Sequence, residues 1–169
     1  MKKVTRSKLL SKTLRMGAIF LFAFSFLSGC NFSYTQIEYE KAKRAAAKED
    51  YSVAVEHYSR VITKDPDSDL ALDAARRSAR ISFLETKDYQ KAIQFYRHLI
   101  LYSPESSERV DAQKKLALIY FEKLSDFHKA IEEYSRVLTL DNTPEEKYLN
   151  QMNITKSYIQ LYKFYKAEV

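Results

Sequence analysis

Apolar residues recur three times along the chain in one arrangement, and each copy is offset from the one before it by the same interval. The copies begin at Asp50, Asp88 and Asp126 and read DYSVAVEHYSRVITKDP, DYQKAIQFYRHLILYSP and DFHKAIEEYSRVLTLDN. Counted from the first aromatic residue, the shared positions fall at i, i+3, i+7, i+10 and i+11, which is one face of an α-helix. The residue at i+3 is always alanine, whose small side chain lets a neighbouring helix approach closely. The pattern predicts three amphipathic helices that pack on other helices.

Each of these helices is preceded by a second amphipathic stretch and followed by a turn. The preceding stretches end in KED, TKD and LSD, and the aspartate in each suits the N-cap of the next helix. Pro66 and Pro104 close the first two units and Pro144 follows the third, because helix interiors exclude proline. Residues 35–38 and 143–146 have the pattern of capping boxes. This alternation of helix, turn, helix and proline turn predicts an all-α solenoid.

The last predicted helix is the first helix of a fourth unit. Its apolar positions are Tyr148, Met152, Tyr158, Ile159 and Tyr162. We expect residues 164–167 to begin its partner helix, so the solenoid covers 35–169 with about three repeats and an incomplete fourth. A solenoid normally ends in a polar capping helix, whereas this helix is aromatic. Either the chain is a fragment that ends early at Val169, or another copy or a partner covers the face; the sequence leaves both open.

The repeated segment resembles the second helix of tetratricopeptide repeats. Its aromatic-x-x-Ala-x-x-x-Tyr-x-x-aliphatic pattern followed by proline matches that family three times, over residues 35–163. Two features depart from the family: the period is 38 residues where about 34 is usual, and the first-helix Trp and Gly are absent. In its longer period the repeat resembles that of a subgroup of periplasmic envelope proteins. This subgroup includes the lipoprotein of the outer-membrane β-barrel assembly machinery. The resemblance implies a scaffold that binds other proteins.

The first 29 residues have the organisation of a secretory signal peptide. Six cations and no acid precede an apolar run at 16–27, which is too short to span a bilayer that needs ~20 residues. The following Leu27-Ser-Gly-Cys30 resembles the lipobox of bacterial lipoproteins. That resemblance implies cleavage before Cys30, acylation of Cys30 with chains such as palmitate, and a short linker over 30–34. Asn31, where an inner-membrane lipoprotein has Asp, implies the outer membrane facing the periplasm. The alternatives are an ordinary secreted protein with a stray thiol, or a buried cysteine.

Removal of the signal peptide changes the charge of the protein. The chain carries 28 Lys and Arg against 22 Asp and Glu, a net charge of +6. Six of those cations lie in residues 1–29, so the remainder is neutral. An electrostatic argument for nucleic-acid binding therefore fails.

Residue types needed for catalysis are missing or scattered. Both glycines, Gly17 and Gly29, lie in the signal peptide, which excludes phosphate-cradling loops and nucleophile elbows from the mature part. The three histidines, His57, His98 and His128, occupy different positions of the repeat, so stacking of units does not bring them together. We predict no catalytic residue, no metal, no cofactor and no enzymatic activity.

One acidic cluster has the spacing of a calcium loop. Asp65, Asp67 and Asp69 fit positions 1, 3 and 5, but Leu70 stands where glycine is needed and Arg76 where a bidentate Glu is needed. We interpret the three aspartates as turn and cap residues.

The resemblance places ligand segments on the concave surface lined by the first helices. The partner-binding groove is then expected to contain Tyr39, Lys43, Arg77, Ile81, Lys115, Ile119 and Asn153. Lys43, Arg77 and Lys115 suggest a basic ridge beside the two isoleucines, suited to an extended peptide or amphipathic helix of acidic character. The alternative is that these cations only solvate an outer face.

These observations predict an outer-membrane-anchored periplasmic lipoprotein that binds envelope proteins. Resemblance points to components of the barrel-assembly machinery. A second hypothesis is a pilotin for secretins, and a third, based on the many tyrosines, is a protein that binds cell-wall glycan. The oligomeric state is left open.

Overall fold

The computed structural model describes residues 34–140 and 143–167, and all secondary structure in these two ranges is helical. The helices are α1 (34–47), α2 (Tyr51–Lys64), α3 (Asp69–Arg80), α4 (Tyr89–Tyr102), α5 (Ser106–Leu118), α6 (Phe127–Leu138) and α7 (Pro144–Ala167). Helices α3 and α5 each continue into a single π-helical turn, Ile81–Glu85 and Ile119–Lys123. The predicted signal peptide and Cys30 lie outside the described residues.

The helices pair in sequence order, as the repeat predicts. Each helix packs on the one before and the one after, so α1/α2, α3/α4 and α5/α6 are three successive helical hairpins. The alanines at the shared position, Ala54, Ala92 and Ala130, are completely buried. Tyr58 and Tyr134 are also buried and fill the space between helices. The fold is therefore an all-α tetratricopeptide-like solenoid, which confirms the predicted fold class.

The turns inside the hairpins recur at equivalent positions of the repeat. Glu49, Lys87 and Ser125 have positive φ, at 60°, 53° and 52°, in a conformation that glycine usually supplies at helix C-termini. The aspartates that follow them are the N-caps of α2, α4 and α6. Asp88 and Asp126 accept the predicted hydrogen bonds from backbone N–H groups, each at 3.1 Å. For the first aspartate, at position 50, the predicted side-chain cap is wrong, because its side chain accepts no such bond.

One of the two predicted capping boxes forms. Thr143 and Glu146 exchange hydrogen bonds of 3.1 Å and 3.2 Å at the start of α7, with Pro144 in the first turn. The other prediction is wrong, because Thr35 lies inside the described part of α1 and the Glu38 carboxylate turns toward α2 instead.

Glu38 ties α1 to α2 through a buried carboxylate whose side chain is only 4% exposed. Lys41 donates to it at 2.7 Å and Arg60 at 3.1 Å, and Nδ1 of His57 lies 2.7 Å away. The hydrogen bond from Lys41, helped by those from His57 and Arg60, lowers the pKa of Glu38 to about 2, although burial opposes the shift. The charged form of Glu38 is thus favoured in the folded state.

Glu38→Gln is expected to lower the free energy of unfolding by about 2 kcal/mol at pH 7. Folding lowers the pKa of Glu38. The Glu38 carboxylate therefore stabilises the folded state fully above about pH 4.5, and this contribution is lost as the pH falls toward 2. Urea unfolding followed by circular dichroism at pH 7, 4 and 2.5 measures the difference between wild type and variant, which should shrink on acidification. Glu40→Gln, at an exposed neighbour, is the control and should change little. A difference for Glu38→Gln that is constant with pH contradicts this role.

The fourth unit differs from the expected one. Residues 164–167 do not begin a partner helix, because α7 runs without a break through Ala167. Lys163 is the repeat equivalent of the positive-φ residues Glu49, Lys87 and Ser125, yet it remains helical. The chain therefore does not turn back at this position.

Candidate protein-binding surface

Three adjoining clefts run along the side of the solenoid formed by its first helices, α3, α5 and α7. The clefts share residues: Arg76 borders the first and second, and Asp111 and Lys115 border the second and third. Their volumes are about 400, 340 and 350 Å³. Because they share these residues, the clefts form one continuous surface, of the kind on which an extended peptide or a helix binds.

The first cleft lies between α2 and α3 and contains a hydrogen-bonded group. Asp73, Arg77 and Ile81 line it, and Tyr39 of α1 lies buried beside it. Arg77 Nε donates to Asp73 at 2.7 Å and to the Tyr39 hydroxyl at 3.1 Å, and that hydroxyl in turn donates to Asp73. The predicted residues Tyr39 and Arg77 are therefore brought together, joined by Asp73.

The pKa values in this group follow from burial and from these contacts. Burial and the hydrogen bond to Asp73 raise the pKa of Tyr39 to about 12. Burial acts to raise the pKa of Asp73, but the hydrogen bonds from Arg77 and Tyr39 bring it below the ordinary value. The hydrogen bond with Asp73 raises the pKa of Arg77. Near neutral pH the group is one carboxylate and one guanidinium joined by a neutral phenol, so the Arg77 charge is already balanced.

Two further cations join successive units. Arg76 of α3 donates two hydrogen bonds to Glu108 of α5, at 2.5 Å and 3.0 Å, and Lys114 of α5 donates to Glu146 of α7 at 2.6 Å. Arg76 and Lys114 are one repeat period apart, as are Glu108 and Glu146, so the same ion pair occurs at both junctions. These cations help to hold the units together.

The second and third clefts are centred on Lys115. Asp111 and Lys115 stand on both, with Tyr96 and Leu99 in the second and Leu118, Leu149 and Asn153 in the third. Lys115 is exposed and makes no ion pair with any described residue. The third cleft therefore offers aliphatic side chains beside a cation that makes no ion pair with a described residue.

Two predicted groove residues, Lys43 and Ile119, line none of the clefts, and a third, Ile81, is buried in the wall of the first. Ile119 is completely buried in the core and Ile81 is 8% exposed, so the expected pair of exposed aliphatics is wrong. Lys43 lies on α1, 3.2 Å from Glu40 and 5.8 Å from the centre of the Tyr39 ring, and borders none of the three clefts. Arg77, Lys115 and Asn153 are the predicted residues that line the clefts and remain available to a partner.

Sequence reasoning missed the acids of this surface. Asp73 and Asp111 are one repeat period apart, and each precedes the predicted cation, Arg77 or Lys115, by one helical turn. The spacing was therefore present in the sequence. It shows a surface of mixed charge where a basic ridge was expected.

Neither a metal centre nor a membrane span is found in the parts of the chain that the structure describes. No three His, Cys, Asp or Glu side chains of residues 34–140 and 143–167 come together as metal ligands would. Within the same residues, no helix combines the length and the apolar character that crossing a bilayer requires.

Comparison with known families agrees with this architecture. The tetratricopeptide repeat family model matches residues 112–144, which extend from α5 through α6 to the first residue of α7. A comparison with curated proteins found no match to this chain. The repeat match and the stacked hairpins together support a protein that contains tetratricopeptide repeats. Such repeats generally mediate binding between proteins and are generally not enzymes.

Proposed function

We propose that this protein is a lipid-anchored scaffold of the bacterial envelope that holds segments of other proteins on its three adjoining clefts. The observation that carries the proposal is the continuity of those clefts, which share Arg76, Asp111 and Lys115 across successive units. Stacked units give a rigid surface, so little conformational freedom is lost on binding. The mechanism is binding alone, without bond making or breaking.

The clefts favour a segment that combines apolar residues with one acidic group. Leu118 and Leu149 supply aliphatic contact in the third cleft, and Lys115 supplies a cation that makes no ion pair with a described residue. The Arg76, Arg77 and Lys114 charges are paired within the protein, and Asp111 adds a carboxylate to the same clefts. A carboxylate at Lys115, flanked by apolar side chains, therefore matches this surface better than a strongly acidic segment does.

The location is part of the same proposal. Cys30 carries the lipid, and Asn31 directs the protein to the outer membrane, facing the periplasm. Residue 34 is already helical, so at most three residues separate Cys30 from α1. A tether this short keeps the clefts near the membrane and raises their effective concentration for membrane-bound partners. Together with the resemblance of the repeat, this supports a role in the assembly of outer-membrane proteins.

Photo-crosslinking in the native bacterium tests the proposal. A photoreactive residue at Lys115 is expected to trap a component of the outer-membrane assembly machinery. The same probe at Gln94, an exposed residue of α4 outside the clefts, is the control and should trap none. Equal yields at both positions would contradict the cleft as the binding surface. Capture of a secretin subunit would favour a pilotin, and sedimentation of the purified protein with isolated peptidoglycan would favour glycan binding.

A further inference from the structure

Helix α7 exposes a long apolar stripe on the side away from the solenoid. Tyr148 and Tyr162 are each 67% exposed and Ile159 is 49% exposed, although all three are large and apolar. Met152 and Thr155 continue the same stripe, because spacings of three and four residues keep side chains on one helical face. The buried side of α7, with Asn150 and Ser157, faces the other way.

In the two preceding units the second helix covers the equivalents of Tyr148 and Ile159, whereas the equivalents of Met152, Arg76 and Lys114, border the clefts. Leu72 of α3, equivalent to Tyr148, is buried in a cluster with Leu99 of α4. Phe83 stacks edge-on against Tyr89 at the start of α4, with ring centres 6.0 Å apart. In the next unit Phe121, which like Phe83 is equivalent to Ile159, makes the same contact at 5.7 Å with the first residue of α6. No described helix covers α7 in this way, because α7 continues through Lys163.

We propose that the α7 stripe binds the α7 stripe of a second copy of this chain, antiparallel, around a two-fold axis at Thr155. The stripe is close to symmetric about that residue: Tyr148 lies seven residues before it and Tyr162 seven after, and Met152 lies three before and Ile159 four after. In an antiparallel pair each residue meets the residues at and next to its mirror position. Tyr148 therefore packs on the partner's Tyr162 and Met152 on the partner's Ile159, and the small Thr155 occupies the point of closest approach.

Charge complementarity supports the second copy as the occupant. Glu145 and Lys163 are separated by about five helical turns, so they lie on one flank of the stripe near its two ends. The two-fold axis brings each to the same flank as the other in the partner chain, offset by only ~3 Å along the helix axis. Both are exposed, and neither makes an ion pair with any described residue. Lys156, near the axis, is exposed and its long side chain extends into solvent.

The size of the stripe determines how tightly we expect the two copies to bind. A 24-residue helix is ~36 Å long, and one helix on another buries less than the ~1,200 Å² of a standard interface. We therefore expect a dimer that dissociates in the micromolar range, on the order of 1–100 μM. On α7 the third cleft is lined by Glu146, Leu149, Asn150 and Asn153, none of which belongs to the stripe, so this pairing does not require a cleft partner.

A disulfide trap on the full chain tests the symmetry axis. Thr155→Cys in a Cys30→Ser background should form an interchain disulfide on mild oxidation, because facing Cα atoms at the crossing point lie within the ~7 Å that a disulfide allows. Lys156→Cys in the same background is the matched control and should stay reduced, since its Cα points sideways and lies farther from its partner copy. Absence of the disulfide with Thr155→Cys, or equal yields for the two, overturns the proposal.

Sedimentation of the full chain tests the charge pairing. The 19.8 kDa chain should approach twice that mass as its concentration rises through the micromolar range. Glu145→Lys or Lys163→Glu alone should weaken the dimer about three- to tenfold, and the two together should restore it. A monomer at all concentrations, open-ended oligomers larger than a dimer, or a double variant weaker than both single ones would overturn the proposal.

Discussion

Leu116→Ala is expected to lower the free energy of unfolding by about 2–5 kcal/mol, the largest loss of stability that we expect from one substitution in this chain. Leu116 is 1% exposed and belongs to a cluster with Ile93 of α4 and Ala130 of α6. It therefore joins three successive helices. Truncation removes apolar contacts with all three and leaves a cavity that alanine-lined helices cannot close without moving.

Leu101→Ala provides the matched control. Leu101 is 71% exposed near the end of α4, so the same truncation there should change stability by less than about 0.5 kcal/mol. Both variants are compared with wild type by urea unfolding, followed by circular dichroism. In a solenoid each unit is stabilised by its neighbours, so Leu116→Ala should also make the transition less cooperative. Equal effects at the two leucines would contradict the assigned core.

The helical hairpins were predictable because their signal is repeated. A constant offset that brings Ala54, Ala92 and Ala130 into register cannot arise from one helix alone, and it indicates neighbours that approach closely at each copy. The preference of one residue type for one position, such as aspartate for the N-cap, is weaker evidence of structure. The aspartate caps illustrate this, because Asp88 and Asp126 form the expected hydrogen bond and the equivalent Asp50 does not.

The burial of individual groove residues was harder to predict. Ile81 and Ile119 follow Arg77 and Lys115 by four residues, which is one turn plus about 40° of rotation around the helix. That rotation is enough to move a side chain from the rim of a cleft into the core. Whether a residue at the rim is buried or exposed depends on the angle at which neighbouring helices cross. The periodicity of the sequence does not give that angle.

The charge of the surface was mispredicted for a related reason. A cation on one unit is balanced by an acid on the next, as Arg76 is by Glu108, 32 residues later in the chain. Counting cations on the first helices gives a basic ridge, whereas pairing them across units leaves a surface of mixed charge. The same repeat that predicts the fold places Glu146 beside Lys114, so register analysis of acids as well as bases is needed.

The proposed anchor predicts a complete change of location when Cys30 is replaced. Cys30→Ser should abolish incorporation of a palmitate analogue and move the protein from the membrane fraction to the soluble fraction. The physical reason is that each buried CH₂ contributes ~0.8 kcal/mol, so two or more acyl chains hold a protein stably at a membrane. Fractionation of cells and metabolic labelling measure the two effects.

Asn31→Asp separates lipidation from sorting. It should leave the acyl label unchanged while moving the protein from outer-membrane to inner-membrane fractions on a density gradient, because only the residue that marks the destination is altered. Retention of Cys30→Ser in the membrane fraction would show that another part of the chain provides the attachment. The clefts would then serve partners at a different location. The dimer through Thr155 does not depend on the anchor and is tested separately by the disulfide experiment.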